Sequence, residues 1–288
     1  MTRYLKNVLW ATDFSEESKE ALAYARFFAK TFGAKLTAVH VVPDFSPALY
    51  EAWPQAQAEL AGKIEETKIS AKVQLEHICE VQGVCPDKVV VTEGAAAKVI
   101  LKTAKKEGAD LIVVGRKGIT GHEQNLLGSV THRILRGARV PVLVTKGTDA
   151  KVGDLRKILV PTDFSSEEDL ERDHAWKLAR VLGSSLTFLY VMELFGHDFR
   201  LTDEMFASVL AKLQARKKRE HKAVEINEDV AKAVHGYEGI IDYADTKGFG
   251  LIVMSTTVRK LSRFFLGSTT EKVIAHSRVP VFAIPREK

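Results

Sequence analysis

The stretch "VLWATDFSEESKEALAYARFFAKTFGAKLTAVHVV", residues 8–42, holds a complete strand–helix–strand unit. Its first residues, "VLWAT", form a short apolar run, and its last, "KLTAVHVV", form a second one rich in β-branched side chains. Both are continuous rather than alternating, the pattern of a strand covered on both faces. Between them Ala21, Leu22, Ala25, Phe28 and Ala29 recur at spacings of three and four, which predicts a helix with one apolar face. Gly33 then ends it. A strand, a helix and a second strand of this kind make a parallel pair with a right-handed crossover.

The unit recurs. "ILVPTDFSSEEDLERDHAWKLARVLGSSLTFLYVM", from Ile158, places Asp163 opposite Asp13, Gly183 opposite Gly33 and Val191 opposite Val41, all at one offset. Further on, "DLIVVG" returns as "GLIVMS" and "RVPVLVTK" as "RVPVFAIP". Adding "DKVVVTEG", "DLIVVG" and "VPVLVTK" gives the first copy five strands. The predicted fold is α/β: two tandem, doubly wound, five-stranded parallel-sheet domains of Rossmann-like type, spanning residues 1–148 and 155–288. The final strand of each copy is an apolar edge, and such edges invite another strand. The two copies are therefore expected to pair as an intramolecular pseudo-dimer, with a further homodimer left open.

Composition narrows the classes. The chain of 288 residues is 45% hydrophobic and 27% charged, ordinary for a globular protein. No apolar run reaches the length of roughly 18–20 residues that spans a bilayer, and the amino terminus lacks the order of a secretory signal. With Cys79 and Cys85 as its two cysteines, the chain fits a reducing compartment, and a cytoplasmic location is expected. The net charge of +5 divides into +3 over residues 1–150 and +2 over the rest. The basic cluster "ARKKREHK", residues 215–222, has no aromatic residue for base stacking, so no nucleic-acid partner is expected. The set His77, Cys79, Cys85 and Asp87 matches no common zinc spacing, and no metal ligand is assigned. Without a GxSxG elbow or an HExxH motif, no catalytic residue is assigned and enzymatic turnover is not expected.

A second segment bears on function: "GRKGITGHEQNLLGS", residues 115–129, leaves one strand and enters a helix. In doubly wound sheets ligands settle beyond the carboxyl ends of the strands, where strand order reverses. Gly115, Gly118 and Gly128 are read as positions of positive φ or close ligand approach. The helix that starts at Ser129 offers unpaired N–H groups and a partial positive charge to an anion, with the Ser129 and Thr131 hydroxyls as added donors. Arg116 and Lys117 would bring positive charge to a polyphosphate. The spacing is neither a P-loop nor a GxGxxG fingerprint.

Gly115-x2-Gly118-x9-Gly128-Ser129, together with Asp13 and Val41 at strand ends, resembles the ATP-binding signature of the universal stress protein family. The opening "TDFS" and closing "VPV" segments occur in both copies, so the chain resembles a tandem member of that family, with its adenine nucleotide alpha hydrolase-like fold. The resemblance implies that Ala11, Thr12, Asp13 and Val41 meet adenine and ribose, and that Gly115 lies against the ribose. It further implies that Gly118, Gly128, Ser129, Val130 and Thr131 cradle the phosphates of ATP, held with Mg2+, and that Arg116 stands nearby. In the second copy Ser255 replaces Gly115, Thr257 or Val258 replaces Gly118, and a residue is missing before Gly267. That copy is expected to bind nucleotide poorly. The function implied is an ATP-binding stress-response protein whose occupied first domain regulates interaction with a protein partner. The alternatives are a slow ATPase and a nucleotide-free interaction scaffold.

Overall fold

The two apolar runs that open the sequence become β1 (Asn7–Thr12) and β2 (Lys35–Val42), and α1 (Glu16–Phe32) crosses between them. A computed structural model describes residues 4–43, 57–82, 85–118, 127–146, 152–163, 168–194, 203–215, 223–256 and 266–285. Helix α1 begins where the Ser15 side chain accepts from the Ser18 N–H, and Glu16 and Glu17 complement the positive end of its dipole. Ala21, Leu22, Ala25, Phe28 and Ala29 are all buried, as their spacing predicts. Gly33, at φ 60°, closes the helix in the left-handed region that glycine adopts without strain.

The rest of the first half runs α2 (Gln57–Gln82), β3 (Lys88–Glu93), α3 (Ala96–Lys106), β4 (Leu111–Gly115), α4 (Ser129–Gly137) and β5 (Val142–Thr145). The second half repeats the order with β6 (Lys157–Pro161), α5 (Glu168–Leu182), β7 (Ser185–Glu193), α6 (Asp203–Ala215), β8 (Ile226–Ala233), α7 (Gly236–Lys247), β9 (Leu251–Ser255), α8 (Ser268–His276) and β10 (Val281–Ile284). All neighbouring strands within each half are parallel. Among the described residues no helix is long and apolar enough to cross a membrane.

The two sheets are one. Strand order is β3-β2-β1-β4-β5-β10-β9-β6-β7-β8, and β5 meets β10 antiparallel with Val144 opposite Val281, Leu143 opposite Phe282 and Val142 opposite Ala283. Pairing in this way removes the apolar edge that each half would otherwise expose. Both faces of the sheet carry core across the seam. One face joins Trp10, Phe28 and Leu143 to Phe282 and Phe188, and the other joins Leu9, Ile134 and Val142 to Val281 and Ile274.

In each half strand order reverses between the first and fourth strands. In the first half this point lies at the carboxyl ends of β1 and β4, where Asp13 and Gly115 stand. A crevice there is dictated by the crossovers, since connections from β1 and β4 leave toward opposite sides.

Candidate nucleotide site

The crevice is a cavity of about 590 Å3, within the range of about 300–1,000 Å3 common to small-ligand sites. Ala11, Thr12 and Asp13 enter it from the end of β1, Val41 from β2, and Val114 and Gly115 from β4. Gly118, Leu127 and Gly128 come from the described parts of the following loop, and Ser129, Val130, Thr131 and Ile134 from α4. Of the residues singled out in the sequence, Arg116 alone is not in the lining. Its place at the cavity is taken by Lys117.

Each polar group at the site has a definite local cause. Asp13 Oδ1 accepts from the Ser15 N–H at 3.1 Å and the Ser15 hydroxyl at 2.6 Å, which fixes the carboxylate at the mouth of α1. The Thr12 and Ser18 hydroxyls lie 2.9 Å apart, and Ser18 Oγ donates to the Ser15 carbonyl. The first intrahelical bond of α4 runs from the His132 N–H to the Gly128 carbonyl, so the N–H groups of Ser129, Val130 and Thr131 precede the helical ladder. They form the anion-attracting end of a nine-residue helix. Val41, Ala96, Ile100, Val114 and Ile134 supply the apolar part of the cavity wall.

Three sequence expectations need correction. Gly115, Gly118 and Gly128 do not have positive φ; among the described glycines that conformation belongs to Gly33, Gly94, Gly108, Gly183 and Gly248. They are small because the chain packs too closely for a side chain. A Cβ at Gly115 would stand 2.8 Å from the Glu17 carbonyl carbon, one at Gly118 would stand 2.2 Å from Asp13 Oδ2, and one at Gly128 would stand 3.0 Å from the Arg116 carbonyl oxygen. Thr131 donates its hydroxyl hydrogen to the Gly115 carbonyl at 2.9 Å, so this group ties α4 to β4. Arg116 is 3% exposed and turns toward the second half, where Nη1 donates to the Ala275 carbonyl.

Sequence reasoning missed Ser18, Ala96, Ile100, Val114, Leu127 and Ile134. Ser18 is hidden among cap residues. Ala96 and Ile100 are four apart on α3, a spacing that marks one helix face but does not say which ligand it would meet.

A family model for the "Universal stress protein family" matches residues 5–146 and again residues 154–285. The chain belongs to the universal stress protein family. It is a tandem member, with one match in each half. A universal stress protein of Methanocaldococcus jannaschii is 36% identical over 141 residues, covering 49% of this chain and 82% of that protein. Another, from Mycolicibacterium smegmatis, is 25% identical and is covered over 96% of both chains. In fold, the crystal structure of a universal stress protein from Archaeoglobus fulgidus superposes with a TM-score of 0.72 over the whole of both chains, at 21% identity.

The second universal stress protein repeat keeps the frame of the site. Gly267 donates to the Thr256 carbonyl at 3.0 Å, and Thr270 Oγ1 donates to the Ser255 carbonyl at 2.8 Å, repeating the bonds of Gly128 and Thr131. Residues 257–265, where the two copies differ in length, lie outside the described residues. At the first turn of α7, Glu193 accepts from the Gly236 N–H at 2.6 Å. The first copy has Ala96 at the position of Gly236, in the cavity wall, and Pro43 at the position of Glu193.

Among the described residues no group of three or more candidate ligands comes together, and Asp87 accepts from the Leu36 N–H at 2.7 Å. His40 has a supporting role beside the first site. Its Nδ1 lies 2.9 Å from the Thr12 carbonyl, and Phe14 packs on the ring at 4.4 Å between centroids. A carbonyl only accepts, so Nδ1 carries the hydrogen. Burial holds the imidazole below its usual pKa, against weaker upward pulls from the Thr12 bond and Asp13.

The folded value therefore lies below the unfolded value of about 6.5, and the unfolded chain takes up the proton first. Stability contributed by neutral His40 is present above that value and is lost as pH falls toward the folded pKa. An NMR titration is expected to give His40 a midpoint below about 6.5. A midpoint at or above that value would refute a burial-dominated environment.

Proposed function

We propose that the first repeat binds ATP with Mg2+ in this cavity, and that the protein is a cytoplasmic, nucleotide-responsive regulator of a partner protein. The observation that supports this reading is the union, in one cavity at the strand-order reversal, of three features: an apolar wall, the carboxylate of Asp13, and the amino terminus of α4 beside Lys117. The wall fits adenine. Asp13 is suited to accept from ribose hydroxyls, while the N–H groups of α4 and Ser129 suit phosphate oxygens. Mg2+ would lower the charge of the polyphosphate and take its remaining ligands from water, since it retains several waters when bound to nucleotide.

The second repeat is proposed as a structural partner that does not bind nucleotide, because Ser255 stands where Gly115 lines the first cavity and the copy is one residue shorter before Gly267. Residues 119–126, through which occupancy would reach a partner, lie outside the described residues.

Stoichiometry tests the reading. The purified protein is denatured and any released nucleotide identified, and the stripped protein is titrated with Mg-ATP by calorimetry. One site per chain is expected, and saturation at about 100 times Kd should stabilise the fold by about 2.7 kcal/mol. Two sites would restore nucleotide binding to the second repeat, whereas an absence of heat and of thermal stabilisation would sink the reading and favour a nucleotide-free scaffold.

A further inference from the structure

Arg116 lies next to Gly115 in the chain but its guanidinium lies in the other half of the molecule. Its backbone belongs to the site: the N–H donates to the Thr145 carbonyl at 2.8 Å, and the carbonyl accepts from Gly128 at 3.0 Å, closing the loop onto the start of α4. Its side chain is almost fully buried, and Nη1 donates to the carbonyl of Ala275 at 2.5 Å. Ala275 is in the last turn of α8, where carbonyls lack helical partners and carry the negative end of the dipole. A guanidinium is always charged, so it satisfies that helix end at any accessible pH.

The second contact returns to the site. Arg116 Nη2 stands 3.5 Å from Glu17 Oε1, and Glu17 Oε2 accepts from the Lys117 N–H at 2.7 Å. Glu17 is also the residue whose backbone limits Gly115 to a glycine. One carboxylate thus holds the stretch of loop that carries Gly115, Lys117 and Gly118, and Arg116 links that carboxylate to the end of α8 in the other half.

Among the described residues the second repeat shows no reciprocal contact. Thr256 copies the backbone bonds of Arg116, donating to the Ile284 carbonyl and accepting from Gly267, but its short side chain donates at 3.4 Å to the same Ile284 carbonyl. Arg136 occupies the position in α4 that matches Ala275 in α8. Among the described residues the link therefore runs from the loop of the first repeat to the second.

We propose that Arg116 is a positioning residue through which the second repeat sets the shape, and so the nucleotide affinity, of the site in the first. The proposal rests on the nucleotide reading above and gives the second repeat a regulatory role at that site. Coupling between two sites is reciprocal in free energy. If docking of α8 steadies the loop, a nucleotide that steadies the loop must in turn tighten the end of α8.

The test uses the full chain, with Mg-ATP titrated by calorimetry and amide hydrogen exchange followed at Ser277–Val279, with and without saturating Mg-ATP. In the unaltered protein ATP is expected to slow exchange at those amides, in the repeat proposed to bind no nucleotide. Arg116→Met keeps bulk but removes the charge; it should abolish that ATP-dependent slowing and weaken ATP binding by about 5- to 10-fold, at the lower end of common coupling strengths. Arg116→Lys restores one donor and should recover part of both effects, and it serves as the test if the methionine variant fails to fold. Unchanged affinity and unchanged ATP-dependent exchange in these variants would overturn the proposal. Bound ATP with no change at Ser277–Val279 in the unaltered protein would overturn it too, while leaving the nucleotide reading intact. Failure of the unaltered protein to bind ATP at all would remove the nucleotide reading and this inference with it.

Discussion

Gly118→Ala is expected to lower Mg-ATP affinity by about 10- to 100-fold while leaving the protein folded. The added carbon would sit 2.2 Å from Asp13 Oδ2, and no such contact can persist. Asp13 has to turn away, breaking its bonds to the Ser15 N–H and hydroxyl and leaving the position from which it faces the cavity. A hydrogen bond to a charged group contributes about 1.5–3 kcal/mol, which corresponds to the stated range. Calorimetry gives the affinity and a thermal melt gives the stability. Gly115→Ala provides the contrast, because its Cβ would meet the Glu17 carbonyl carbon at 2.8 Å and the Ser18 nitrogen at 2.9 Å. Backbone cannot rotate aside, so α1 itself must shift, at about 1–3 kcal/mol for overpacking. Wild-type affinity in Gly118→Ala would mean that Asp13 does not touch the nucleotide.

These two glycines show how far the sequence could be read. Their spacing after an apolar strand marks a site, but the reason for glycine lies about 100 residues earlier in the chain, in Asp13 after β1 for Gly118 and in the first turn of α1 for Gly115. A conformational reason, positive φ, is local and can be guessed from a loop; a packing reason depends on which backbone or side chain arrives from elsewhere. Arg116 and Thr131 differ from expectation on the same ground. A basic residue and a hydroxyl in a phosphate-like loop suggest ligand contacts, yet Arg116 finds an unpaired helix carbonyl across the seam and Thr131 finds the carbonyl of Gly115. Patterns of period 3.6 and continuous apolar runs were more informative, because burial on one helix face or both sheet faces is imposed by nearest neighbours in sequence. Thus the buried face of α1, the strands β1 and β2 and the glycine cap at Gly33 could all be read from residues 8–42.

The repeat also foretold the pairing of the two halves, though not the continuity of the core behind it. Edge-to-edge strand pairing alone would give a hinge of main-chain bonds over three residue pairs. Here side chains cross the same line: Tyr4 of the first half hydrogen-bonds His174 of the second, and Phe28 of α1 stacks with Phe282 of β10 at 6.4 Å. A joint of this kind resists bending, which is why a contact such as that of Arg116 with α8 can transmit a change at the loop.

Phe282→Ala should therefore be the most damaging single change at the seam. Phe282 is fully buried, lies opposite Leu143 in the β5–β10 ladder, and packs with Phe28 and His174. Truncating a buried phenylalanine costs about 3–5 kcal/mol through lost transfer energy and an unfilled cavity. Because the cavity opens between the halves, the loss falls on their docking as well as on the second core. Denaturant unfolding followed by fluorescence of two single-tryptophan proteins, one keeping Trp10 in the first half and one keeping Trp176 in the second, reports on both. Unaltered protein is expected to unfold with coincident transitions; the variant should show a lowered midpoint and transitions that separate, since the shared core no longer couples the two halves. A variant whose midpoint falls by less than about 1 kcal/mol in equivalent stability, with transitions still coincident, would show that the ladder and Tyr4 suffice to hold the seam, for a loss that small is typical of a site able to collapse.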